Sequence, residues 1–534
     1  MNFTLRTYPS VLAAGINAHR HWAHLTVFWF FFLMLMPTML EAQDLKTHLN
    51  ENKITAAITE LEKKTVEKMH QTGLPGLAIG IVYQDRVLYH KGFGVRETGK
   101  PEKVDADTVF QLASISKPLG STVIAGLASD GVVTWNDLVS KYKSDFVLHD
   151  AYATKHLTIG DLYSHRSGLP GHAGDILEDM GYSRAEVLHR LRFIPIQNHF
   201  RNHYAYTNFG LTAGAVAAAN AAKKKWEDLS EERLYKPLGM IHTSSRYDDF
   251  IKNPNHAAGH ILLNGKWVHQ QQRQPDAQSP AGGASSSIND MVRWLRLHLA
   301  QGKLDDKRII SAKALEETYV PPIDPVTKVP ASYALGWNVG HDDTGRLKLS
   351  HSGAFSMGAA TTVIMLPQEK LGIIILTNAA PFGVPEALAL SFLDLVTHDK
   401  ADKNLFEQKF DYAKKQFEQM RLADLSKTDY TKPPVKASPA LTPENYVGMY
   451  TNDFIGPVEI VNQDGNLLMT QGPLKNHIYP LTHYDGNLFF YDTTGENEVG
   501  LSGVRFNIDA KGNATTLWVE NLDVYGMGTL KRQP

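Results

Sequence analysis

The sequence predicts an α+β fold, an antiparallel sheet completed by both ends of one domain with a helical subdomain inserted between them, followed by a small all-β, barrel-like domain. Three observations predict it. Strand-like runs at Leu77–Tyr83 and Arg86–Tyr89 recur far downstream at Thr361–Leu366 and Gly372–Thr377, and the residues between read mostly as helices and loops. A Lys-Pro-Pro-rich break at 432–439 interrupts the chain. Short β-type runs then follow, punctuated by Asp464-Gly465-Asn466, Asp485-Gly486-Asn487 and Lys511-Gly512-Asn513, which are hairpin turn signals.

Length and composition support that division. At 534 residues the chain exceeds the roughly 250 to 300 residues at which single cores stop growing, so two domains are expected. A net charge of -2 gives no field that would draw the protein onto nucleic acid, so a small-molecule or peptide substrate is the expected partner. The absence of cysteine excludes disulfides, a thiol nucleophile and thiolate zinc sites. There are 23 histidines, but no HExxH or paired carboxylate at metal-ligand spacing accompanies them, so no metal is expected.

From the N-terminus, a basic stretch with Arg6 and Arg20 precedes the apolar run Leu25–Met36, and Leu40-Glu41-Ala42 ends on a small residue. That layout is a signal peptide over residues 1–42, implying a periplasmic or secreted protein with no membrane span after cleavage. An uncleaved anchor is the alternative reading of the same run. The main domain is expected over 43–400, a charged helix and Pro-rich linker over 401–440, and the β-domain over 441–534.

Ile54–Met69 carries apolar residues at helical spacing among Glu and Lys, the pattern of an amphipathic surface helix. Gln84-Asp85 joins two strands as a hairpin. Gly94–Pro101 nearly spells a phosphate-binding loop, but Pro101 stands where the magnesium-holding hydroxyl belongs, so a turn is expected. A helix is predicted from Ser114 to about Ser129, closed by Gly131, with Val123, Ile124 and Leu127 on its buried side. Tyr333–Trp337 reads as a further strand.

The chemistry concentrates at three places. Ser114 and Lys117 stand three residues apart at a helix start, so a hydroxyl and an amine share one face. Serine becomes nucleophilic when a base takes its proton, and a lysine whose pKa is depressed can be that base. Tyr206-Thr207-Asn208 offers a phenol able to relay protons and a carboxamide able to orient a substrate amide. His351-Ser352-Gly353-Ala354 precedes a strand pair, with a glycine suited to close approach of substrate. Ala354–Gly358 also resembles a degenerate nucleophile elbow, which the strands expected after it disfavour. His165 reads as structural, and the role of His172 stays open.

Phe110–Pro118, His165–Pro170, Tyr206–Gly210, Lys236–Met240, Pro280–Gly283 and His351–Gly353, in this order, resemble the class C β-lactamase and D,D-peptidase (penicillin-binding protein-like) family. The resemblance covers roughly Leu74–Thr397, and the stretch from Tyr446 is similar to a β-domain often appended to such hydrolases. It implies a β-lactamase/transpeptidase-like fold and an acyl-enzyme on Ser114, with Lys117 and Tyr206 handling protons. It also implies that Asn208, His351, Ser352, Gly353 and Ala354 bind substrate, the amides of Ser114 and Ala354 forming an oxyanion hole, and that no cofactor is needed. The substrate class ranges over cell-wall peptides, β-lactams, esters and D-amino acid amides. His351 replaces the lysine of a KTG triad, which weakens the β-lactamase reading and suits peptidases, amidases and esterases. A noncatalytic binding or assembly protein is the alternative from another class.

Overall fold

A computed structural model describes residues 49–196, 199–323, 332–398, 400–424 and 426–534. The expected signal peptide lies outside the described residues, and no described helix is long and apolar enough to cross a membrane.

The first helix, α1 (Glu51–Thr72), opens where Asn50 accepts a hydrogen bond from the Lys53 amide at 2.8 Å and closes on Gly73 at φ 67°. Its buried stripe, Ile54, Ala57, Leu61, Thr65 and Lys68, repeats every three or four residues. The hairpin β1 (Gly76–Tyr83) and β2 (Arg86–Gly94) turns on Gln84 and Asp85, both at positive φ as a two-residue turn requires. After the inserted helices, including α2 (Ser116–Ser129), α3 (Asn208–Ala221) and α4 (Ile288–Leu299), the chain returns as four strands. These are β3 (Asn338–His341), β4 (Leu347–Phe355), β5 (Ala359–Leu366) and β6 (Leu371–Thr377). The six form one antiparallel sheet in the order β2-β1-β6-β5-β4-β3, so the first and last strands of the domain meet at its centre.

Every residue of β1, β5 and β6 is buried, because both faces of the sheet are covered. On one face Leu77, Ile79 and Ile81 pack with α1 and α5 (Val384–Thr397). On the other, Ala78 and Val82 join the core of the helical subdomain. Gly80 is the point of closest approach to α4, where a Cβ would meet Val292 at 2.5 Å.

One segment differs from expectation. Tyr333–Trp337 is not a strand: Gly336 takes φ 88°, its amide donates to Tyr163 O at 3.2 Å, and Trp337 stacks on Trp294 at 5.6 Å. The apolar run is buried against helices, with Gly336 against α2, instead of in a ladder. The charged helix, α6 (Leu405–Asp424), packs onto α5, with Phe406 buried and Glu407 paired to Lys68, so this part of the linker segment is docked on the first domain.

The C-terminal strands are β7 (Gly448–Asn452), β8 (Gly456–Gln463), β9 (Asn466–Gln471), β10 (His477–Pro480), β11 (Thr482–Asp485), β12 (Leu488–Asp492), β13 (Leu501–Ile508), β14 (Ala514–Val519) and β15 (Thr529–Arg532). They pair antiparallel in the order β10-β9-β8-β7-β15-β14-β13-β12-β11. The two edge strands are separated in sequence by Leu481 alone, so the sheet curls into a nearly closed barrel. The three Gly-Asn turns join β8 to β9, β11 to β12 and β13 to β14.

Candidate active site

The turn bearing Ser114 is held from several sides. Residues 113–115 form a single 3₁₀ turn before α2, entered through Ala113 at φ 47°, a costly conformation for a residue with a Cβ. Ser116 Oγ donates to Ala113 O at 2.7 Å and accepts from the Ala284 amide at 2.9 Å. Thr361 Oγ1 donates to Leu112 O at 2.8 Å, tying the turn to β5. The predicted helix therefore begins two residues later than expected, and Ser116 through Leu127 is buried all round, not on one side only.

Lys117 lies one helical turn on from Ser114, fully buried, with Nζ 2.9 Å from Ser114 Oγ, 2.8 Å from Asn208 Oδ1 and 2.9 Å from Ala281 O. Burial pushes its pKa well below the ordinary lysine value, opposed by the Asp175 carboxylate and assisted by the Arg273 guanidinium. A neutral amine has two protons and one lone pair. Asn208 Oδ1 and Ala281 O can only accept, so in the neutral form they would take the two protons and leave the lone pair for Ser114. Tyr206 Oη lies 2.6 Å from Ser114 Oγ, and burial raises its pKa, keeping the phenol protonated. With the lysine neutral, the phenol would donate to the serine oxygen and the serine proton would point at the lysine.

Tyr206 and Asn208 flank Thr207 at the start of α3. His165 fixes this entry: its carbonyl accepts from the Ala205 amide at 2.9 Å and its Nδ1 from the Thr207 amide at 3.2 Å. His165 is fully buried, and its pKa is pushed down by burial and by nearby Lys117. Asn208 Nδ2 donates to Asp175 Oδ2 at 2.7 Å, and His172 Nδ1 lies 2.9 Å from the same oxygen. Asp175 thus orients the carboxamide so that its oxygen faces Lys117.

His351–Ala354 lies inside β4, ahead of the β5–β6 pair as expected. β3 pairs only with Leu347–Ser350, which leaves His351–Phe355 as the open edge of the sheet. Gly353 faces the nucleophile turn, and a Cβ there would meet Leu112 O, Thr361 Oγ1 at 2.5 Å and Ser114 N at 2.9 Å. The glycine admits the backbone of the Leu112–Ser114 turn, whereas the sequence suggested room for substrate. The pleat turns Ser352 the other way, where its hydroxyl lies 3.1 Å from Thr362 Oγ1, and Ala354 likewise alternates with the buried positions.

His351 is buried, with Nδ1 2.8 Å from Ser352 O and Nε2 3.0 Å from the Tyr333 hydroxyl. Since a carbonyl only accepts, Nδ1 carries the proton and Nε2 accepts from Tyr333. Burial, with a smaller contribution from Lys117, pushes its pKa down to about 3, so it is neutral near pH 7. Asp175, Arg273 and Tyr333 were missed by sequence reasoning, because nothing local distinguishes them from surface or loop residues; Ala281 stood in the Pro280–Gly283 block, but its carbonyl contact to Lys117 was not foreseen. No group of three or more His, Asp or Glu placed to hold a metal occurs among the described residues.

A family model described as Beta-lactamase matches residues 61–397, and one for a domain of unknown function, DUF3471, matches residues 432–527. The chain is 25% identical over 467 residues to Unguisins hydrolase ungD of Aspergillus violaceofuscus, covering 79% of this chain and 80% of that protein. It is 24% identical over 440 residues to Beta-lactamase-like protein 2 of Dictyostelium discoideum, covering 80% and 77%. Among solved structures, the octameric penicillin-binding protein homologue from Pyrococcus abyssi superposes with a TM-score of 0.57 at 19% identity, over 89% of this chain and 99% of that one, a likeness of fold. The Beta-lactamase match spans more than half of the chain and contains every residue of the Ser114–Lys117–Tyr206 constellation, so the chain belongs to the beta-lactamase family, whose members are generally serine hydrolases.

Proposed function

We propose that this protein is an exported serine hydrolase that cleaves an amide, lactam or ester bond through an acyl-enzyme on Ser114. The observation that carries the reading is the pair of contacts at the hydroxyl: the buried Lys117 amine at 2.9 Å and the Tyr206 phenol at 2.6 Å. Ser114 Oγ attacks the substrate carbonyl carbon, its proton passes to Lys117 Nζ, and the carbonyl π pair becomes an oxyanion facing the Ser114 and Ala354 amides. Collapse of that intermediate breaks the bond to the leaving group, which takes a proton relayed from Lys117 through Tyr206. Water then attacks the acyl carbon, gives its proton back through the same pair, and frees Ser114.

A neutral His351 supplies no positive charge for a substrate carboxylate. This favours an esterase or amidase acting on neutral acyl donors over a β-lactamase. The related Unguisins hydrolase supports hydrolysis as the reaction class. Intact-mass time courses of the protein with p-nitrophenyl butyrate and with benzylpenicillin, beside Ser114→Ala, test the reading. An acyl adduct from the ester, confined to the parent, is expected. Equal turnover by Ser114→Ala would overturn the assignment, and rapid penicillin hydrolysis would overturn the preference for neutral donors.

A further inference from the structure

We infer that Glu496, carried by the C-terminal barrel, is a positioning residue of the acyl site, clamping the turn that follows β4 and through it the Ala354 amide. The inference rests on Ser114 being the nucleophile. The segment between β12 and β13 reaches across to the main domain, and Glu496 Oε1 accepts from the Ser356 amide at 2.8 Å while Oε2 accepts from the Met357 amide at 3.2 Å. These are the first two residues after β4, so the nearer bonded amide stands two residues from Ala354. The same carboxylate lies 3.2 Å from Arg273 Nη1, an ion pair lacking hydrogen-bond alignment. Arg273 in turn donates to Glu178 at 2.5 Å and covers the Phe355 ring, its guanidinium carbon 4.5 Å from the centroid. The last residue of β4 is therefore held on its ring by Arg273 and at its following amides by Glu496.

The neighbouring residue ties the same segment to the opposite wall. Asn497 donates through its amide and its side chain to Asp179 Oδ2 at 2.7 and 2.8 Å, and Asp179 ends the short helix begun by Asp175, the partner of Asn208. Tyr525 of the barrel donates to Gly171 O at 3.0 Å, beside His172. One edge of the barrel thus bridges both sides of the nucleophile. Among the described residues β4 has no ladder partner on its outer edge here, and within the hairpin the Gly358 amide donates to Phe355 O at 2.9 Å. Oxyanion donors act only when held in place, so an external carboxylate on this turn has a catalytic consequence.

The test uses full-length protein carrying Glu496→Ala or Glu496→Gln. Two readouts are taken: amide hydrogen exchange across residues 352–359, and kcat and KM with p-nitrophenyl butyrate. Glu496→Ala is expected to exchange about tenfold or more faster at Ser356 and Met357. It should lower kcat by about 10 to 100-fold with KM little changed. Glu496→Gln keeps one acceptor and loses the ion pair, so it falls between, and it carries the test if the alanine variant misfolds. Unchanged exchange in both variants, or faster exchange with parental kcat, overturns the clamp. A parent that forms no acyl-enzyme overturns the serine assignment instead, which the Ser114 adduct reads separately.

Discussion

Replacing Gly353 by alanine should damage catalysis more than stability, and the geometry sets the size of both effects. The added methyl would sit 2.9 Å from Ser114 N and 2.5 Å from Thr361 Oγ1, and closer still to Leu112 O. Ordinary contacts begin near about 3.5 Å. Two of the three obstacles are backbone atoms, so a side-chain rotation cannot relieve the overlap. Leu112 is pinned by its amide bond to Ala284 O at 2.9 Å and by Thr361, and β4 is held in register by β5. The strand and the nucleophile turn must separate by about 0.5 to 1 Å, an overpacking strain of about 1 to 3 kcal/mol. A displacement of about 1 Å between a nucleophile and its oxyanion donors costs about 100-fold in rate. The assay is kcat/KM for p-nitrophenyl butyrate with the urea midpoint measured in parallel. Gly340→Ala serves as control, since a Cβ there meets no atom within 4 Å. Activity of Gly353→Ala within twofold of the parent would refute the packing argument.

Lys117→Arg, always charged and unable to accept the serine proton, should lose about 1,000-fold or more in acylation rate at every pH, measured by burst kinetics. In the parent, acylation should rise with pH and level off well below the ordinary lysine range, because burial favours the neutral amine; a midpoint near that of free lysine would contradict a neutral base. Tyr206→Phe removes the 2.6 Å contact to Ser114 and should lower kcat by about 100-fold or more, with far-ultraviolet dichroism unchanged. Acid should destabilise the fold through His351 and His298, whose burial pushes both pKa values down to about 3 from 6.5. Between those values the unfolded chain binds more protons than the folded one, so stability is lost as pH falls from 6.5 toward 3. Each histidine contributes a slope of up to about 1.4 kcal/mol per pH unit. Urea midpoints of the parent and His298→Gln at pH 7, 6 and 5 measure this, and parallel curves would refute it.

The local signals that succeeded share a cause. Gln84-Asp85, Asp464-Gly465 and Gly73 mark turns and caps because positive φ selects residues within a few positions of one another. The Ser114–Lys117 spacing is equally local, since a helix turn alone sets which side chains meet. Tyr333–Trp337 failed because an apolar run states that a segment is buried, not which partner buries it. Gly353 was noticed, but its neighbour was wrong: whether substrate or the Leu112–Ser114 backbone fills the space depends on a contact across more than 200 residues.

The sequence alone pointed to the two-part architecture and to a Ser114 hydroxyl with the Lys117 amine beside it, because periodicity, turn chemistry and short spacing are properties of neighbouring residues. Only the tertiary structure decided that burial pushes the Lys117 pKa well down, that His351 is uncharged near pH 7, and that Asp175, Arg273 and Glu496 border the site. Charge state depends on burial and on fields from residues brought together by folding. Those quantities belong to the packed three-dimensional arrangement, which no stretch of chain carries by itself.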